Sequence, residues 1–124
     1  MIKVLITDDH RLVRAGFRRL LEDEPNIEVV AEASSGQEAL DFVRTKEVDV
    51  ILLDVSMPGE NGLEVLPKLK LAAPKVCVLM VTMHTERHIQ ARAMAAGASG
   101  YLLKESAAEE LITAIRDACR GLEE

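Results

Sequence analysis

Five short aliphatic runs, at 2–7, 28–33, 49–53, 76–81 and 99–103, alternate with five stretches whose apolar residues recur at helical spacing. The runs "IKVLIT", "DVILL" and "VCVLMV" are almost continuously apolar, as parallel strands buried on both faces must be. The intervening stretches predict helices at 11–23, 35–45, 62–71, 86–96 and 106–119. In the last of them Ala108, Leu111, Ile112, Ile115 and Cys119 form one apolar stripe. Ser35 with Glu38, and Ser106 with Glu109, have the spacing of capping boxes that start helices, and Gly97 is placed to end one. Strict strand–helix alternation in a chain of this length predicts an open α/β fold, a five-stranded doubly wound parallel sheet with five helices. A flavodoxin-like strand order, 2-1-3-4-5, is adopted by analogy. No linker interrupts the pattern, so residues 1–124 are expected to form one domain.

The polar residues that stop these runs carry the chemistry. In doubly wound sheets the reactive crevice lies at the carboxyl ends of the strands, where strand order reverses. Asp8 and Asp9 end the first run, Asp54 the third, Thr82 the fourth and Lys104 the fifth. Two carboxylates about 4 Å apart repel by roughly 4 kcal/mol at an effective dielectric near 20. Three of them together call for a cation, and an all-oxygen donor set favours Mg²⁺ or Mn²⁺ over zinc. A carboxylate can attack phosphorus and become an aspartyl phosphate, while a hydroxyl and an ammonium can hold the phosphoryl oxygens. The expected site is therefore a metal-dependent phosphoryl acceptor.

Composition narrows the alternatives. A chain of 124 residues, 48% apolar and 29% charged, is long enough to bury roughly two-thirds of its unfolded surface. Phe17, Phe42 and Tyr101 are its only aromatic residues, so the core must be aliphatic. The net charge of −6 argues against a direct grip on nucleic acid. No apolar run approaches the roughly 20 residues of a membrane span, and no signal peptide opens the chain, so a cytoplasmic location is expected. Cys77 and Cys119 sit in apolar surroundings that suit reduced, packed thiols. Arg11, Arg14 and Arg18 share one helical face, which spacing alone reads first as a solvated stripe and second as a docking surface for an acidic partner. His84 and His88, four apart, read first as solvated helix-edge residues and second as metal ligands if the stretch is helical, and Met80, Met83 and Met94 as core or near-core fillers.

The ordered motifs "TDDH", "LLDVSMPGENG", "VTMH" and "GASGYLLK" resemble those of response-regulator receiver domains, most closely the NarL/LuxR-type subgroup joined to a helix-turn-helix. The resemblance spans essentially the whole chain. It implies a two-component switch, not an enzyme acting on other substrates, in which a sensor histidine kinase phosphorylates Asp54. Asp9, Asp54 and the main-chain carbonyl of Ser56 would bind Mg²⁺ directly and Asp8 through water. Thr82 and Lys104 would contact the phosphoryl group, with Tyr101 as the aromatic switch. Pro58 and Gly62 match the family's loop after the acceptor, whereas Glu105 and Met83 depart from its commonest residues. The arginine face near the acids would meet the kinase, and the face near the fifth strand would mediate phosphorylation-dependent self-association. Since "RGLEE" is followed by no second domain, DNA would be reached only through an effector domain absent from this chain.

Two other readings are weaker. A haloacid-dehalogenase-like phosphatase wants a second aspartate where Ser56 stands, and a flavodoxin-like nucleotide binder wants a small-residue phosphate loop where "DDHRL" places acids.

Overall fold

In the computed structural model, residues 1–57 and 59–119 are described. Pro58 and the "RGLEE" ending lie outside the described residues. The elements in order are β1 (Ile2–Thr7), α1 (Arg11–Glu22), β2 (Ile27–Ala33), α2 (Gly36–Thr45), β3 (Val50–Leu53), α3 (Gly62–Ala72), β4 (Cys77–Thr82), α4 (Arg87–Ala95), β5 (Gly100–Leu103) and α5 (Ala107–Cys119). The five strands form one parallel sheet in the order β2-β1-β3-β4-β5, the expected flavodoxin-like topology. No helix among the described residues is long and apolar enough to cross a membrane.

Strand alternation sends successive side chains to opposite layers. Leu5, Ile51, Leu53, Val78 and Met80 pack against α2, α3 and α4 through Leu40, Leu66, Leu69 and Ala93. Val4, Ile6, Val50, Leu52, Leu79 and Val81 pack against α1 and α5 through Phe17, Leu21, Leu111 and Ile115. The three central strands, β1, β3 and β4, are thus buried on both faces, which is why their sequences run almost continuously apolar. Helix α2 lies so close to α3 that a Cβ on Gly36 would stand 2.2 Å from Val65 Cγ2.

Edge strand β2 breaks the alternation once. Val4 pairs with Val29 but Leu5 pairs with Ala31, leaving Val30 as an extra residue. Before the bulge, Ile27 and Val29 face the α1/α5 layer; after it, Ala31 and Ala33 face the opposite one.

Several local expectations need correction. Ser35 does cap α2, accepting from Glu38 N at 3.2 Å, but Glu38 accepts from Ser34 N at 3.0 Å and Ser34 Oγ at 2.9 Å, one residue earlier than a capping box requires. Ser106 is not an extended cap: Lys104–Ser106 is a 3-10 turn that runs directly into α5, and Leu103 is the extended residue before it. Gly97 ends α4 as expected, in the left-handed region at φ 108°. Met80 is buried, but Met83 and Met94 are exposed, 76% and 44%, because they fall on the outward side of the β4–α4 loop and of α4. Helix α4 starts at Arg87, so only His88 is helical and His84 belongs to the loop. Neither cysteine forms a disulfide among the described residues; Cys77 Sγ donates to Ala118 O at 3.2 Å.

Candidate functional site

The carboxyl edge of the sheet gathers the residues that end its strands. Asp54 N donates to Thr7 O at 3.1 Å, continuing the β1–β3 ladder and setting Asp54 beside Asp8. Gly62 closes the loop behind it, donating to Val55 O at 2.7 Å. A Cβ on Gly62 would stand 2.1 Å from Asp54 O, so only glycine fits this approach. Asn61 then caps α3, accepting from Glu64 N at 3.0 Å.

Lys104 crosses from β5 to the middle of the sheet. Its Nζ lies 2.8 Å from Asp8 Oδ2 and 3.0 Å from Asp54 Oδ2. The two carboxylates are 2% and 3% exposed and the lysine 13%. Burial pushes the Asp54 carboxyl above the usual carboxylate range; the Lys104 hydrogen bond pulls it down, and the Asp8 charge raises it further. Burial alone would lower the Lys104 ammonium, but its bonds to Asp8 and Asp54 prevail and raise it, so it remains charged. One lysine therefore neutralises a buried acid pair that would otherwise repel.

Asp8 is held on every side. Its N donates to Ala33 O at 3.0 Å, its Oδ1 accepts from His10 N at 2.8 Å, and its O accepts from Arg14 Nη1 at 2.6 Å. Asp8 Oδ2 has the Lys104 ion pair in place of a hydrogen bond, whereas Asp9 Oδ1, also buried and without a hydrogen bond from the described residues, has no lysine beside it. His10 Nδ1 lies 3.2 Å from Asp9 Oδ1 and 3.0 Å from Asp8 Oδ1, and draws the acids together when that nitrogen carries a proton. Asp8, Asp9, His10 and Asp54 each bring a ligand atom within 4.8 Å of the others. A buried carboxylate oxygen lacking a donor, among further hard oxygen atoms, suits a divalent cation such as Mg²⁺. The acidic pocket could bind a metal.

Thr82, fully buried at the end of β4, accepts from His84 N at 3.2 Å. Tyr101, half-buried on β5, donates to His84 O at 2.9 Å, and burial raises its phenol. Ser56 N approaches Asp54 Oδ1 at 3.4 Å, while Ser56 Oγ and His84 Nε2 are 2.6 Å apart. An open cleft of about 430 Å³, lined by Thr82, Met83, Thr85, Leu103, Lys104 and Glu105, leads to the lysine. Met83 stands at its rim, turned outward.

Asp8, Asp9, Asp54, Thr82 and Lys104 thus converge, with Ser56 and Tyr101 joined through His84. The arginine stripe does not stay free. Glu32 accepts from Arg14 Nε at 3.2 Å and from Arg18 Nε at 2.6 Å, and the Arg18 hydrogen bond leads the lowering of its carboxyl. Arg11 alone of the three is exposed. Sequence reasoning missed His10 and His84. His10 adjoins the acid pair within "TDDH" and was open to suspicion on that ground; nothing in the sequence links His84 to Ser56.

The chain matches the response regulator receiver domain family over residues 4–116. It is 50% identical over 121 residues to the response regulator UvrY of Escherichia coli and 44% identical over 121 residues to GacA of Pseudomonas aeruginosa. Each alignment covers 98% of this chain and 56% of the relative, so the chain spans about half their length. Its fold matches a LuxR-family two-component response regulator from Aurantimonas with a TM-score of 0.91 and 36% identity, over 96% of this chain and 85% of that one.

Proposed function

This chain belongs to the response regulator receiver domain family, the phosphorylation-dependent switches of two-component signalling, and on that premise we propose that Asp54 is its phosphoryl acceptor. The observation that carries the reading is Asp54 itself, a buried carboxyl paired with Lys104 at 3.0 Å and facing the Asp8–Asp9 pair. The donor is a sensor histidine kinase. One carboxylate oxygen of Asp54 bonds to phosphorus as the donor's P–N bond breaks; the electron pair leaves on the imidazole nitrogen, which takes a proton from water. The chain catalyses only this self-modification and its reversal.

Asp9, Asp54 and the main-chain carbonyl of Ser56 would hold Mg²⁺, with Asp8 contributing through water. When bound, Mg²⁺ offsets the negative charge of the phosphoryl oxygens. Lys104 swings part of its pairing from Asp54 to a phosphoryl oxygen, and the Thr82 hydroxyl turns from His84 N to another. Because Tyr101 is tied to His84 O, that movement reaches β5 and α4. Thr82 and Lys104 contact phosphate only in the modified form, and this differential affinity is what shifts the equilibrium. The changed face then drives self-association or acts on an effector of LuxR-type, DNA-binding chemistry; this acidic domain itself does not grip DNA.

Incubation with a small phosphodonor and Mg²⁺, followed by intact mass, should show one added phosphate that Asp54→Asn abolishes. Equal labelling of the Asn variant would refute the assignment.

A further inference from the structure

We infer that Arg14 is a positioning residue for the acid pair, clamping the tripeptide Asp8–Asp9–His10 through both of its ends, with Glu32 as the anchor that orients the clamp. This inference rests on the reading of the pocket as a divalent-cation site.

The side-chain bond carries it, while the main-chain bond beside it is the first helical bond of α1 and fixes the other end whatever residue stands at 14. The Arg14 side chain donates from Nη1 to Asp8 O at 2.6 Å, and the Arg14 main chain donates from N to His10 O at 3.1 Å. Between the two gripped carbonyls lies Asp9, whose Oδ1 takes no hydrogen bond from the described residues. Asp8 has four independent restraints on its place; among the described residues Asp9 Oδ1 has only the His10 ring beside it, at 3.2 Å, and is otherwise aimed by its own backbone. Loss of the Nη1 bond would leave the Asp8 carbonyl without that donor and free the peptide that directs Asp9.

The clamp is itself fixed. The Arg14 side chain is 16% exposed, and Nε donates to Glu32 Oε1 at 3.2 Å, so the planar guanidinium spends separate N–H groups on anchor and target. Arg18 holds the other Glu32 oxygen at 2.6 Å, keeping the carboxylate turned toward α1. A lysine at 14 would keep the charge but could not bond Glu32 and Asp8 O from two rigidly related nitrogens.

Charge and geometry make opposite forecasts here. Arg14 is a cation near a cation site, so by electrostatics alone Arg14→Ala should tighten Mg²⁺ binding and Arg14→Lys should leave it unchanged. Through positioning, both should weaken it, since outer partners of metal ligands commonly govern about tenfold or more in affinity. Calorimetric titration of MgCl₂ into the folded proteins tests this, with circular dichroism checking the fold of each. We expect Arg14→Lys and Arg14→Ala to lose about tenfold in Mg²⁺ affinity, Glu32→Gln to lose less, and Arg18→Ala, which does not touch Asp8, to stay within about twofold of wild type. A merely structural Arg14 would lower the melting temperature while leaving the Mg²⁺ affinity of the folded protein unmoved. Wild-type affinity in Arg14→Lys, or tighter binding in Arg14→Ala, would overturn the clamp while sparing the cation site. Absence of Mg²⁺ binding by the wild type would overturn both.

Discussion

Replacing Lys104 with methionine keeps most of the side chain's length and removes its charge. That charge stands 2.8 Å from Asp8 Oδ2 and 3.0 Å from Asp54 Oδ2, and the carboxylates are 2% and 3% exposed. Deleting one partner of a buried pair costs about 3–5 kcal/mol, because the other charge is left behind. The loss has a ceiling, since the acid pair can shed its repulsion by binding one proton. For a carboxyl with an ordinary value near 4, that uptake costs about 4 kcal/mol at pH 7 and about 1.4 kcal/mol at pH 5. Lys104→Met should therefore lose about 3–4 kcal/mol at pH 7 but no more than about 1.4 kcal/mol at pH 5. In melting temperature the neutral-pH loss is roughly 12–16 °C, at about 4 °C per kcal/mol. The sign follows from which form each group favours. Asp54 is raised by burial, so protonating it favours the fold as pH falls. Lys104 is raised above its ordinary value, so its contribution is complete below that value and is lost only as strong alkali deprotonates it. Urea unfolding of both proteins at pH 5 and pH 7, in metal-free buffer, measures the two differences. Equal losses at both pH values, or a variant within about 1 kcal/mol of wild type at pH 7, would refute the account of one lysine neutralising a buried acid pair.

Gly62→Ala should cost several kcal/mol and displace the acceptor loop, since its Cβ would lie 2.1 Å from Asp54 O; a melting curve like that of wild type would contradict the close approach. Asp9→Ala and Asp8→Ala should part company in metal-free thermal melts. Asp9 Oδ1 is buried with no hydrogen bond from the described residues and only the His10 ring beside it, so its removal should leave stability level or raise it, whereas Asp8→Ala loses the His10 N bond and the Lys104 ion pair and should cost about 1–3 kcal/mol. Equal shifts in the two melts would argue against the asymmetry. Tyr101→Phe removes one hydrogen bond to His84 O and should cost about 1 kcal/mol in urea unfolding; no measurable change would mean that the bond contributes nothing in solution.

The fold was legible because both signals that specify it are local. Continuous apolar runs mark strands buried on two faces, and the polar residue that ends each run marks the carboxyl edge, which is how Asp8, Asp54, Thr82 and Lys104 could be assembled from distant positions. Features set by tertiary contact were not legible. His84 has the spacing of a helical partner to His88, but α4 begins only at Arg87, and the loop turns the ring toward Ser56. Met83 follows a buried strand and looks like core until the chain turns outward. Arg14 and Arg18 read as a solvated stripe because their partner, Glu32, lies on another element. Ser106 has a capping box's spacing, yet the 3-10 turn starting at Lys104 takes the helix entry upstream of it.

The extra residue in β2 has a consequence for the far end of the pocket. A strand behaves like a two-state counter: each residue toggles the face its successor presents. Val30 adds one tick, and because of it Glu32 falls level with Ile6 and presents to the α1 layer. Had the count been even, Glu32 would sit opposite Thr7 and point toward α2, with Arg14 and Arg18 facing an alanine instead. Insertion or deletion of a single residue between 27 and 33 therefore acts on this protein as a frameshift acts on a message. The chain downstream keeps its letters, but every side chain up to the end of the strand addresses the wrong layer, and the support beneath the acid loop goes with it.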